Sequence, residues 1–119
     1  MKGRDLDRAI AEEVMGWKSE IDPTGGVPYE IWTSPDGSVV KVADDWVPSE
    51  FMNDAFSVVE KMKKKGWGFV LSTHDDDGRY CAMFNSVKPH VEVEHSHKSS
   101  AIAICLAALE AVREAKKKA

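Results

Sequence analysis

The sequence predicts an α+β domain: a three-layer α-β-α sandwich in which a mostly antiparallel sheet of about four to five strands is covered by three helices, in the order α-β-β-α-β-β-β-α. Two observations carry that prediction. Apolar residues recur with helical spacing in three separate stretches: near the N-terminus, around residues 52–62, and from about residue 100 onward. The middle helical stretch stops at Gly66 and passes at once into Trp67-Gly68-Phe69-Val70-Leu71, a strand-like run. A helix that hands over to a strand within two residues leaves only a short connection, so the two elements must pack together.

The first helix is read from Asp5 to Met15, with Leu6, Ile10 and Val14 as its stripe, Asp5 as N-cap and Gly16 as the left-handed residue that ends it. Trp17 follows where it can fold back over the last turn, as a hydrophobic lid or as a ligand platform. Asp22-Pro23-Thr24-Gly25-Gly26-Val27-Pro28 has the composition of a loop. Tyr29–Thr33 and Ser38–Val42 are short strands joined through Ser34-Pro35-Asp36-Gly37, a turn sequence, which makes a first hairpin. The second helix enters at Pro48-Ser49 with a cap and places Met52, Ala55, Phe56, Val59 and Met62 on one face. Lys61, Lys63, Lys64 and Lys65 complement the negative end of its dipole, a simpler reading than a phosphate clamp.

Trp67–Thr73 and Arg79–Phe84 form a second hairpin around the polar tip His74-Asp75-Asp76-Asp77-Gly78, whose glycine suits a positive φ. His90-Val91-Glu92-Val93-Glu94 alternates strictly and reads as an edge strand with its valines inward. The last helix begins near Ser96 or Ser99. It buries Ile102, Cys105, Leu106, Leu109 and Val112, its alanines permit close approach, and it ends in Lys116-Lys117-Lys118. No repeat or linker divides the 119 residues, so one domain spanning 1–119 is expected.

Composition narrows the function classes. A net charge of −4 disfavours a duplex nucleic-acid binder, which needs a basic face. Two unspaced cysteines, Cys81 and Cys105, suit a reducing compartment and a core role. The charged N-terminal segment has no apolar signal core, and no run reaches the ~20 residues that span a bilayer, so a cytoplasmic protein with no membrane partner is expected.

Chemistry-bearing motifs are few. Asp75-Asp76-Asp77-Gly78 lacks the glutamate at loop position twelve that a calcium hand needs; that position is Ser86. In His90-Val91-Glu92-Val93-Glu94-His95-Ser96-His97, a strand would align His90, Glu92 and Glu94, with His95 and His97 following. That set offers zinc-type ligands, but from one local run, and a solvated strand face explains it more simply. No nucleophile elbow or phosphate-binding glycine loop is present. Neither a metal nor a cofactor is therefore expected, and no catalytic residue is assigned. What stands out is Trp17, Tyr29, Trp32 and Trp46 in or beside irregular segments. Aromatic faces near cations stack nucleobases, and the same aromatics can equally pin a loop onto a small core.

Three segments together resemble the phage ABA sandwich domain family, small proteins encoded mainly by bacteriophages and prophages. They are Ala11-Glu12-Glu13-Val14-Met15-Gly16-Trp17, the helix-to-strand run Ala55 through Phe69, and Ala103-Ile104-Cys105-Leu106-Ala107-Ala108-Leu109. The resemblance implies a layered α-β-α domain of phage origin and brings no catalytic residues. Residues 22–46 and the histidine-rich run depart most from the family pattern. The functional expectation is a non-enzymatic accessory protein that sequesters a small nucleotide-type signalling ligand to counter a bacterial defence, acting as a homo-oligomer. In it Trp17, Tyr29, Trp32 and Trp46 stack bases, and Arg79, Arg4 or Lys41 meets phosphate. The alternatives are a protein–protein module that inhibits a host protein or assists phage assembly, and a nucleotide-acting enzyme that uses the histidine run and a bound metal.

Overall fold

The computed structural model describes residues 3–23, 25–74 and 77–118. The chain runs α1 (Gly3–Ala9, continued by a π-helical stretch Ile10–Val14), β1 (Lys18–Asp22), β2 (Tyr29–Thr33), β3 (Val39–Val42), a 3-10 turn Ala43–Asp45, α2 (Met52–Lys64), β4 (Gly68–His74), β5 (Arg79–Ser86), β6 (Val91–His97) and α3 (Ser100–Lys118). The α+β sandwich stands, with one strand more than expected: among the described residues six strands form two antiparallel sheets, β1-β2-β3 and β4-β5-β6.

α3 is the centre of the body. It packs on β5 and β6 and, on its other side, against α2 and the first helix. Ile104, Cys105, Ala107, Ala108, Leu109, Ala111 and Val112 are all buried, so the helix is apolar nearly all round, as a central helix must be. The alanines let its neighbours approach closely. Ser99 Oγ accepts the Ile102 N–H at 3.2 Å, which makes Ser99 the helix cap. From the sheet, Phe84, Val91 and Val93 are buried and Phe69 packs tilted on Phe84 with centroids 4.9 Å apart. β6 is an edge strand with its valines inward. Gly68 leaves room for Asn85 across the β4–β5 pair: a Cβ there would sit 2.7 Å from Asn85 Oδ1 and the amide would have to turn aside.

Both glycine stops form. Gly16 (φ +75°) and Gly66 (φ +96°) are left-handed, and Trp67 N–H bonds back to Met62 C=O at 3.1 Å. The first helix starts at Gly3, so Asp5 lies in its first turn and does not cap it. Its second half widens, with Met15 N–H on Ile10 C=O at 3.0 Å. Lys65 Nζ donates to Val14 C=O at 2.7 Å, so one lysine of the basic run ties the ends of α1 and α2 together.

Three further details depart from the sequence reading. Residues 18–21 have no element assigned from sequence and Asp22 is placed in a loop; Lys18-Ser19-Glu20-Ile21-Asp22 is a strand because it pairs along all of β2. Pro48-Ser49 does not cap α2, which begins at Met52 after Phe51 without a side-chain cap; Ser49 is buried and gives its N–H to Asp7 Oδ1 at 2.8 Å. Phe56 is exposed, because α2 lies at the edge of the body and buries the narrower stripe Asp54, Ala55, Val58, Val59 and Met62. In the second hairpin, Asp77 accepts the Arg79 N–H at 3.0 Å and Gly78 has positive φ, while Asp75 and Asp76 of the anticipated tip lie outside the described residues, as do Met1, Lys2 and Thr24.

The β1–β3 sheet stands apart from the body. The molecule measures 51 × 34 × 21 Å, and its radius of gyration of 15.1 Å exceeds the about 13.5 Å usual for this length. Polar contacts hold this arm: Arg8 on Glu30, and Lys41 on Asp54 at 3.3 Å. Trp32 is its anchor in the core of the body, and Ile31 beside it is also buried.

Candidate functional site

The junction of arm and body encloses a half-open cleft of about 190 Å³. Its floor follows from strand alternation. On β2, Glu30 and Trp32 point to the same side, toward α1, where Arg8 waits one helical turn beyond Arg4. The Arg8 guanidinium lies over the Trp32 ring, 5.3 Å from its centroid, and donates to Glu30 Oε1 at 2.7 Å. Ser19, from the neighbouring strand, donates a short hydrogen bond to the other oxygen of Glu30. These bonds, with Arg8 foremost, hold the Glu30 carboxyl below its ordinary range.

The 3-10 turn supplies the opposite wall. Trp46 is buried, donates its indole N–H to Asp7 C=O at 3.1 Å, and meets Trp17 edge-on with centroids 4.6 Å apart. Asp7 is 6% exposed. Burial pushes its carboxyl up, against the pull of Ser49. At the mouth, Arg4 faces Asp44 at 3.7 Å, both side chains largely exposed. Glu50 completes the rim and is exposed. With every group ionised, four carboxylates face two guanidinium groups across the cleft.

Of the seven residues expected to bind ligand, three line this cleft: Arg4, Trp32 and Trp46. Trp17 stands behind Trp46. The other three are elsewhere and already engaged. Tyr29 lies at the outer end of β2 and donates to Asp22 Oδ2 at 3.0 Å. Lys41 is committed to Asp54, whose second oxygen accepts the Val47 N–H at 3.0 Å. Arg79 sits on the β4–β6 sheet and donates to Ser96 C=O at 3.2 Å. Trp32 and Trp46 are 1% and 2% exposed, so they close the core and underlie the cleft at once. Sequence reasoning missed Arg8, Asp7 and Glu30. The Arg4/Arg8 spacing on one helix face and the Glu30/Trp32 alternation were the available signals.

The histidine run is divided between two structural tasks. His95 pairs with Glu110 of α3. His97 Nδ1 accepts the Ser99 N–H at 2.9 Å and so orders the entry to that helix. Among the described residues no three His, Cys, Asp or Glu side chains are grouped to hold a metal ion. Both cysteines are free and buried. Burial raises the Cys105 thiol pKa well above normal. Cys81 belongs to the opposite face of the sheet from Ala82 and Phe84, between Ser72 and Ser96, where burial and Glu94 raise its pKa. Neither is poised as a nucleophile. No described helix is long and apolar enough to cross a membrane.

Comparison with known proteins agrees with this architecture. Residues 8–109 match the phage ABA sandwich domain. Among solved structures, the 2.0 Å crystal structure of a phage protein from Bacillus cereus ATCC 14579 is similar at a TM-score of 0.70, over 95% of this chain and 89% of that one. With 19% sequence identity, that likeness concerns the fold. No curated protein matches.

Proposed function

Because the chain belongs to the phage ABA sandwich domain family, we propose that it is an accessory protein that works by binding: it sequesters a small nucleotide-type signalling molecule in the cytoplasm of the infected host and so blunts a bacterial antiphage defence. The observation that carries this reading is the arm–body cleft, where Arg4 and Arg8 stand over a floor of Trp32 and Trp46. Guanidinium groups meet phosphate bidentately and also stack on bases. The buried indoles do not offer free faces, so a base would lie against the Arg8–Trp32 pair and not on the tryptophans themselves.

The cleft is smaller than the about 300–1,000 Å³ usual for small-molecule sites. It therefore takes one part of such a ligand, the remainder resting on the open rim. Binding without turnover fits the high pKa and burial of both thiols and the structural engagement of His95 and His97. In this proposal the protein acts as a homo-oligomer, whose contacts would cover the exposed valines of the arm.

Those valines favour a second reading. Val39, Val40 and Val42 on β3, with Tyr29 on β2, leave apolar surface open to solvent, and such a patch suits a protein partner. One experiment separates the two. The purified chain is exposed to lysate from phage-challenged, defence-carrying bacteria, re-isolated and denatured, and the released material is analysed by mass spectrometry. A stoichiometric nucleotide is the expected result. Release of nothing small, with a host protein retained, favours the interaction module.

A further inference from the structure

The cleft is more acidic than phosphate binding alone requires, and the excess specifies the edge a ligand must present. Three of its four carboxylates are committed. Glu30 is held by Arg8 and Ser19, Asp44 faces Arg4, and Asp7 is buried on the Ser49 N–H. The fourth, Glu50, is exposed at the rim, and among the described residues its carboxylate is engaged in no hydrogen bond or ion pair. An ionised carboxylate offers acceptors only, so whatever docks on it must supply donors.

The bases differ in what they present along the Watson–Crick edge. Guanine turns two adjacent donors outward, N1–H and the 2-amino group, which match the two oxygens of one carboxylate. Adenine and cytosine set a donor beside an acceptor, and uracil sets one donor between two acceptors. An acceptor pressed on a carboxylate leaves both lone pairs unsatisfied, which costs binding. The cleft volume of about 190 Å³ admits a planar head group and leaves sugar and phosphate outside, where the 79% exposed Arg4 side chain stands.

We infer that the cleft selects a guanine base, with Glu50 accepting from N1–H and the 2-amino group and the base lying against Arg8. This rests on the nucleotide-binding reading above. The test titrates the full chain with GMP, IMP, AMP and UMP, following tryptophan fluorescence and heat. IMP keeps N1–H and lacks only the 2-amino group. GMP is expected to bind about tenfold tighter than IMP, the value of one charge-assisted hydrogen bond, and AMP and UMP weaker than either. Glu50→Gln brings GMP down to the level of IMP without lowering the Tm of the unliganded protein, since Glu50 is exposed and its charge only adds to the strain on buried Asp7. Equal affinity for all four, or a guanine preference that survives Glu50→Gln, overturns the inference while the nucleotide reading stands. Binding of none of the four, at any concentration up to millimolar, removes both.

Discussion

The β4–β6 body and the β1–β3 arm are both three-stranded antiparallel sheets, and they are held in place by different physics. The body buries one sheet face on α3 through Phe84, Val91, Val93 and the alanine-rich helix. The arm leaves Ile21, Val39, Val40 and Val42 exposed and is fixed to the body by the Arg8–Glu30 and Lys41–Asp54 ion pairs and by the buried Trp32, with Ile31 beside it. Apolar burial is non-directional and cooperative, so the body should respond to damage as a unit. A polar seam is directional, and each of its bonds competes with water. The arm is therefore the part whose position can change without unfolding, and it forms one wall of the candidate cleft.

The sharpest way to break the comparison is to damage each region in turn. Phe84→Ala removes a fully buried ring from the face under α3. It is expected to cost about 3–5 kcal/mol, lowering the Tm of the whole protein in one transition. Separate melting of arm and body in that variant would show that the arm is stable alone, contrary to its thin attachment.

Asp54→Ala acts on the seam. It leaves Lys41 without its carboxylate and the Val47 N–H without an acceptor. The expected loss is about 1–3 kcal/mol, and hydrogen exchange should quicken in β2, β3 and residues 46–51 while α3 and β5 keep their protection. Uniformly faster exchange across the molecule would mean that arm and body are one cooperative unit.

How far each region could be read from sequence follows the same division. Gly16 and Gly66 act through local backbone geometry and end their helices where the residues put them, and of the two starts offered for the last helix, Ser96 and Ser99, it is Ser99 that caps. β1 was illegible because Lys18-Ser19-Glu20-Ile21-Asp22 carries a single apolar residue, and only its partner β2 makes it a strand. Phe56 fits a helical period, but periodicity cannot say how wide a stripe a peripheral helix buries. Arg4, Trp32 and Trp46 were identified by residue type, whereas the Arg8–Glu30 pair spans 22 residues; nothing local announces it. Tyr29, Lys41 and Arg79 had the right chemistry, and the fold spends each on a different partner.

A gentler probe of the seam is pH. Arg8 and Ser19 hold Glu30 below its ordinary value of 4.5. The native state thus prefers the ionised form, and the stability this contributes is present above 4.5 and lost as pH falls through the lowered value. Arg8 and Glu30 are 38% and 26% exposed, so after solvent screening the pair is worth at most about 1 kcal/mol. Glu30→Gln should loosen the arm near neutral pH and make little difference in strong acid. An indole N–H resonance of Trp32 that moves with pH in the wild type and stays still in the variant would assign the effect to this pair; identical pH profiles would remove it.

Asp7 carries the opposite sign and the smallest expected effect. Its pKa is raised above 3.8, first by burial, with Glu50 and Asp54 adding to the rise. The folded state therefore prefers the protonated acid. That preference is fully stabilising below 3.8 and is lost as pH rises through the folded value, so ionised Asp7 is a burden near neutrality. Asp7→Asn removes the charge and keeps an oxygen for the Ser49 N–H. The variant should melt slightly higher than the wild type near neutral pH and at the same temperature in acid. If it melts lower at neutral pH, the ionised carboxylate is holding Ser49 more strongly than burial penalises it. The wall of the cleft would then depend on that charge, and the body itself would be held in part by an ion where the comparison assigns it only packing.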